Sequence, residues 1–112
     1  MTTATVAGVQ HAEIIDMVAQ DMTGEYLLIM VEDRPWTGGA EQVQQLREKI
    51  NTYALFALDG GMVSRYPGSE GKPVRIQLDC RDVPTGAAAR LIDLATLRLA
   101  AYRIDFVVSV AG

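Results

Sequence analysis

One short segment of the chain, residues 74–81, alternates strictly between apolar and polar side chains. Its sequence, VRIQLDCR, puts four apolar residues on one side of a strand and four polar residues on the other: Val74, Ile76, Leu78 and Cys80 against Arg75, Gln77, Asp79 and Arg81. Because successive side chains of a β-strand point to opposite faces, the pattern predicts a strand with one buried and one solvated face. A sheet that contains such a strand can be covered by helices on one side only.

The rest of the sequence predicts two helices and three more strands. Apolar residues at helical spacing predict helices over residues 41–58 and 86–102, and the glycines at 60–61 fit the end of the first one. Two aliphatic runs around the turn-forming sequence DMTG predict a hairpin, and residues 103–110 alternate as a last strand. On the first helix, the pattern places Lys49 on the solvent face with its glutamates and glutamines.

The predicted order of elements is therefore ββαβαβ. A helix between two strands returns the chain so that the strands run parallel, which makes the last three strands parallel and the first antiparallel to the second. We expect an α/β fold of the two-layer α+β sandwich type, with a four-stranded mixed sheet and both helices on one face. Residues 12–112 form its single domain, and residues 1–11 are expected to be a weakly ordered N-terminal segment.

Length, charge and composition narrow the classes of function. The 112 residues suffice for one hydrophobic core, and the net charge of −4 disfavours a nucleic-acid partner. The apolar run at residues 26–31, which no other run exceeds in length, is too short to span a membrane, and the opening residues lack the pattern of a signal peptide. With a single cysteine, we expect a cytoplasmic protein without disulfides.

The sequence offers little catalytic chemistry. Cys80 and His11 are the only residues of their types, which is too few for a zinc site of the cysteine and histidine kind. Cys80 lies on the apolar side of its strand and is interpreted as a buried structural thiol, unless the N-terminal segment brings His11 over the sheet. No serine-nucleophile elbow or phosphate-binding glycine loop is present in the sequence. We therefore assign no catalytic residue, metal or cofactor, and favour a protein that is not an enzyme.

Polar residues gather where the parallel strands are predicted to end, which is where open α/β sheets bind ligands. The candidate ligand-binding residues, suited to a small anion, are Asp33, Arg34, Trp36, Arg81, Asp82 and Thr85. Three alternatives stay open: a solvated ion-pair rim, a threonine that only caps the second helix, and a tryptophan that only covers the core. If the site is catalytic, an aspartate of this set acts as general base beside an arginine that holds the anion.

The second strand is apolar on both faces, so its orientation is ambiguous. If its odd-numbered residues face the helices, its even-numbered residues join one residue of the last strand in an apolar patch on the open face: Tyr26, Leu28 and Met30 with Val107. Such patches are typical of interaction sites, and twofold dimers are the commonest assembly. We therefore expect a homodimer through these four residues.

Several residues resemble a motif of a known family. Trp36 ahead of a helix, the helix sequence LREKINTYALF at residues 46–56, a glycine ending, and Tyr66-Pro67 before a strand resemble small bacterial proteins known only as a domain of unknown function. The resemblance covers the chain from about residue 12 onward and implies a small α/β domain without transferring an activity. It also implies a shared role, in packing, capping or binding, for three helix residues: Lys49, Asn51 and Tyr53.

These observations favour a binding or interaction domain that homodimerises. The alternative is a small enzyme or an anion-binding protein with its pocket at the carboxyl ends of the parallel strands. The strand orientations decide which residues are available for either role.

Overall fold

The computed structural model describes residues 8–111 of the chain. Its elements follow the predicted order, with one additional short helix. The strands are β1 (Met17–Gln20), β2 (Tyr26–Glu32), β3 (Val74–Cys80) and β4 (Ile104–Val110), and the helices are α1 (Ala40–Leu58), α2 (Gly61–Arg65) and α3 (Gly86–Ala100). A single 3-10 turn, Pro67–Ser69, lies between α2 and β3.

The four strands form one mixed sheet in the order β1-β2-β3-β4. β1 is antiparallel to β2, and β2, β3 and β4 are parallel, as predicted. Residues of both long helices, such as Leu46 of α1 and Ile92 of α3, belong to one buried cluster with Ile76 and Leu78 of β3. The predicted two-layer α+β sandwich with both helices on one face is confirmed.

The orientation of β2 differs from the one used to predict the dimer patch. Leu28 and Met30 are fully buried in the helix-covered core, and Tyr26 packs against the same core. The register explains why, because Leu28 lies beside Ile76 and Met30 beside Leu78, and residues paired across neighbouring strands share a face. The odd-numbered residues of β2 therefore lie on the open face, and three of the four residues predicted for the dimer patch were placed on the wrong side. Only Val107, beside Gln77, lies on the open face.

Two turns show how local sequence sets the chain direction. Between β1 and β2, the Asp21 carboxylate accepts hydrogen bonds from the backbone N–H of Thr23 (2.8 Å) and of Glu25 (3.0 Å). The Thr23 hydroxyl donates a third hydrogen bond to the same carboxylate. This third bond lowers the pKa of Asp21 most, and the two backbone bonds lower it further. After α1, Gly60 adopts a φ of 85°, a left-handed conformation that glycine reaches without strain. This residue lies just beyond the end of α1, as the glycine pair predicts.

The N-terminal segment is packed on the domain as far back as the structure describes it. Val9 is fully buried in the core, and its N–H donates to the Val31 carbonyl (2.9 Å). Residues 8–11 therefore lie against the core, and residues 1–7 of the segment predicted to be weakly ordered lie outside the described part of the chain. Within residues 8–111, no helix combines the length and the apolar character needed to cross a membrane.

Candidate functional site

The carboxyl ends of β2, β3 and β4 meet at one edge of the sheet and frame a cavity of about 460 Å³. Two of the predicted ligand-binding residues line it, Asp33 and Arg81, and both are exposed. Glu32 and Asp79 also line the cavity. The prediction that these strand ends lie together agrees with the register, but the cavity wall carries more carboxylates than guanidinium groups.

Arg34, a predicted anion-binding residue, is already engaged by a carboxylate. Its Nε and Nη2 donate to the two oxygens of Glu32 at 2.8 and 2.7 Å, and Nη2 also donates to Gln45 Oε1 (2.9 Å). Burial acts to raise the pKa of Glu32, but the hydrogen bonds from Arg34 outweigh it and lower that pKa. The same bonds raise the pKa of Arg34. The charge of this guanidinium is therefore already paired with Glu32, whose side chain is fully buried, and attracts a further anion less than a free arginine would.

A hydrogen bond joins the Trp36 side chain to the loop that follows β3. The Trp36 indole packs against the core, and its Nε1–H donates to the Asp82 carbonyl at 2.8 Å. Since an indole has one donor, this bond uses the only polar contact that Trp36 can offer a ligand. Thr85 occupies the N-cap position of α3 without a side-chain capping bond and is exposed. The six predicted residues thus lie around the strand ends, with two of them occupied by contacts inside the protein.

The open face of the sheet carries two kinds of side chain. Toward β1 and β2 it is apolar, with Leu27, Ile29 and Val31. On β3 it is polar, and Gln77 donates to Asp79 there at 2.7 Å. On β4 the open face is apolar again at Val107, which lies beside Gln77 of β3.

β4 is the longer of the two edge strands, and its outer side has no partner among the described residues. Val108 and Val110 turn toward the helix layer, where α3 leaves them 36% and 39% exposed. They lie beside the buried pair Leu78 and Cys80 of β3. The edge of β4 therefore combines unpaired backbone groups with uncovered aliphatic side chains.

A buried polar cluster that the sequence analysis missed explains two residues of the helix motif. Lys49 of α1, predicted on the solvent face, is fully buried, and its ammonium donates to the His11 carbonyl (2.8 Å), the Ile14 carbonyl (2.6 Å) and Asp16 Oδ1 (2.7 Å). One turn later, the Tyr53 hydroxyl donates to the Ile29 carbonyl (2.6 Å) and accepts from the Asp16 N–H (2.7 Å). Burial raises the pKa of Tyr53, so this hydroxyl stays protonated.

The cluster attaches residues 11–16, which precede β1, to α1 and β2. Asp16 is central to it, because its second carboxylate oxygen accepts from the Val31 N–H at 3.0 Å. The spacing of Lys49 and Tyr53, four residues apart on one helix face, is the sequence signal that could have located it. Asn51, the third residue of the motif, is exposed and lines the groove between α1 and α3.

The comparison with protein-family models matches residues 7–112 to one family, described as a family of unknown function (DUF6572). The chain belongs to the DUF6572 family. This agrees with the resemblance to a domain of unknown function, and the match covers the whole described domain. No curated protein and no solved structure matches this DUF6572 chain.

Cys80 is the free cysteine of the DUF6572 protein. Its thiol is buried and faces the Ser109 carbonyl at 3.7 Å, and burial, reinforced by nearby carboxylates, raises its pKa. A thiol with a raised pKa is a poor nucleophile at neutral pH. His11 belongs to the segment that Lys49 holds on α1. Among residues 8–111, no group of three or more histidine, cysteine, aspartate or glutamate side chains could hold a metal ion.

Proposed function

We propose that this DUF6572 protein is a non-enzymatic interaction domain that acts as a homodimer. The observation that carries the proposal is the uncovered β4 side of the sheet, where an unpaired strand edge adjoins exposed Val108 and Val110 and the open-face Val107. Unpaired edges and exposed apolar patches are the surfaces on which protein chains associate. The single buried cysteine fits a reducing compartment, and the proposal places the protein in the bacterial cytoplasm.

The alternative, an enzyme or anion-binding protein with its pocket at the strand ends, has weaker support. Glu32 pairs with Arg34 in two hydrogen bonds, and Trp36 Nε1 is bonded to a backbone carbonyl. Arg81 is then the cation that remains on the wall of a cavity also lined by Asp33 and Asp79. This balance of charge repels an anion, so titration with inorganic phosphate should leave the Trp36 fluorescence unchanged.

Sedimentation velocity over a range of micromolar concentrations tests the proposed function. We expect a species of twice the 12.2 kDa chain mass. Val107→Lys places a charge beside the β4 edge and should weaken self-association by at least tenfold, about 1.4 kcal/mol. Leu97→Lys is the matched control, since Leu97 is 73% exposed on α3 and its replacement should leave the mass unchanged. A monomer mass at every concentration would contradict the proposal.

A further inference from the structure

The two edges of the sheet differ in how they are protected. β1 has only four residues and adjoins the polar turn at Asp21, so it offers a short edge. β4 has seven residues, IDFVVSV, with no proline and no lysine to discourage pairing. Its one charged side chain, Asp105, lies on the open face beside Arg75 rather than across the edge.

The hydrogen bonds of β4 show which backbone groups are available. The Ala111 N–H donates to the Cys80 carbonyl at 3.0 Å, so the odd-numbered residues of β4 point their backbone groups at β3. Because these groups alternate along a strand, the even-numbered residues point theirs away from the sheet. Within residues 8–111, the backbone N–H and C=O groups of β4 without a partner are those of four residues: Ile104, Phe106, Val108 and Val110.

We propose that the β4 strands of two copies pair antiparallel about a twofold axis at Val107, which joins the two sheets into one. This deepens and rests on the proposed function, since it names the surface through which the homodimer forms. The four strands of each copy then form one continuous sheet with the four strands of the other. The partner is a second copy because the strand is complementary to itself in this register.

The register follows from the residues of β4. With the axis at Val107, all of residues 104–110 find a partner, and Phe106 lies opposite Val108 of the second copy. Both residues of that pair point their backbone groups outward, so they exchange two hydrogen bonds, as an antiparallel ladder requires. Asp105 falls opposite Ser109 and not opposite a second Asp105. An axis at Asp105 would oppose two carboxylates, and an axis at Phe106 would shorten the ladder.

The same register covers the exposed valines. Val108 lies beside Phe106 of the second copy and Val110 beside Ile104, all on the helix-covered side of the joined sheet. Phe106 and Ile104 are already buried within their own copy, so the two cores become continuous across the axis. On the open face, the two Val107 side chains meet at a pair that exchanges no backbone hydrogen bonds, where side chains approach most closely.

Disulfide trapping at the axis tests the register. In a pair without backbone hydrogen bonds, the Cα atoms are about 4.5 Å apart, within the range that a disulfide can bridge. Val107→Cys should therefore cross-link to a covalent dimer under mild oxidation. Ser109→Cys is the matched control, because two copies of residue 109 are offset by about 13 Å along the strands, beyond disulfide reach. The unsubstituted chain, whose Cys80 is 4% exposed, reports any background cross-linking.

A second variant tests the backbone pairing itself. Val108→Pro removes an N–H that points outward, so it should abolish the dimer and keep the fold, as judged by far-ultraviolet circular dichroism. Val108→Thr keeps that N–H and should remain dimeric. Cross-linking of Val107→Cys but not Ser109→Cys, with loss of the dimer in Val108→Pro, supports the pairing. A wild-type dimer in which both cysteine variants behave alike, or in which folded Val108→Pro stays dimeric, overturns the pairing and leaves the proposed function standing. A wild-type monomer overturns both.

Discussion

The buried pair of Lys49 and Asp16 makes a sharp prediction about stability. The three donor positions of the Lys49 ammonium are used by two carbonyls and one carboxylate, and both side chains are at most 1% exposed. Lys49→Met removes the cation and leaves the Asp16 carboxylate buried without its counterion. Breaking a buried pair from one side costs about 3–5 kcal/mol. Because domains of this kind have a total stability of about 5–15 kcal/mol, the loss is a large fraction of it.

Urea unfolding, followed by far-ultraviolet circular dichroism, measures the effect. At a slope of about 1.5 kcal/mol per molar, a loss of 3 kcal/mol lowers the unfolding midpoint by about 2 M. Lys72→Met, at the other lysine of the chain, is the control, because Lys72 is exposed and should change stability by less than about 0.5 kcal/mol. Adding Asp16→Asn to Lys49→Met should restore part of the loss, since no charge is then left buried. Equal midpoints for Lys49→Met and Lys72→Met would refute the reasoning.

Substitutions at three further positions, Tyr53, Glu32 and Arg103, are expected to change stability or its pH dependence in stated directions. Tyr53→Phe leaves the Asp16 N–H and the Ile29 carbonyl without their partner, so thermal unfolding should show a loss of about 1–3 kcal/mol, and no loss would contradict the buried cluster. Pairing lowers the pKa of Glu32 below its ordinary 4.5, so its contribution to stability is complete above that pH and is lost as pH falls through the lower folded value. As pH is lowered from neutral to below 4.5, the free energy of unfolding should therefore fall more steeply in wild type than in Glu32→Gln. Parallel curves for the two proteins would argue against the pairing of Glu32 with Arg34. Arg103 has a φ of 61°, so Arg103→Gly should raise the free energy of unfolding by about 0.5–1 kcal/mol and Arg103→Val should lower it.

Some elements of the fold follow from the sequence alone and others do not, for physical reasons. In β3, polar and apolar side chains alternate, so only one face of the strand can be buried. This places both helices on one side of the sheet. β2 has no polar residue between Tyr26 and Val31, so either face could be buried, and only its register with β3 decides. The five residues of α2 are too few to show a helical period, and this helix was not predicted.

The candidate site was predicted in its location and not in its contacts. Chain topology alone brings Asp33 and Arg81 to one edge of the sheet. Whether Arg34 is free or bonded to Glu32 depends on side-chain conformations that no residue spacing encodes. The polar residues of α1 predict a solvent position for Lys49, whereas its actual partners are two backbone carbonyls and an aspartate more than thirty positions earlier in the chain.

Amide hydrogen exchange along β4, measured at several protein concentrations, tests the central claim of a paired β4 edge most directly. The amides of Val107 and Ser109 point at β3 and should be protected at every concentration, which provides an internal reference within the strand. The amides of Phe106, Val108 and Val110 should gain protection as the concentration rises, because their partner is a second copy. Rapid, concentration-independent exchange at these three amides, beside protected neighbours, would contradict the account.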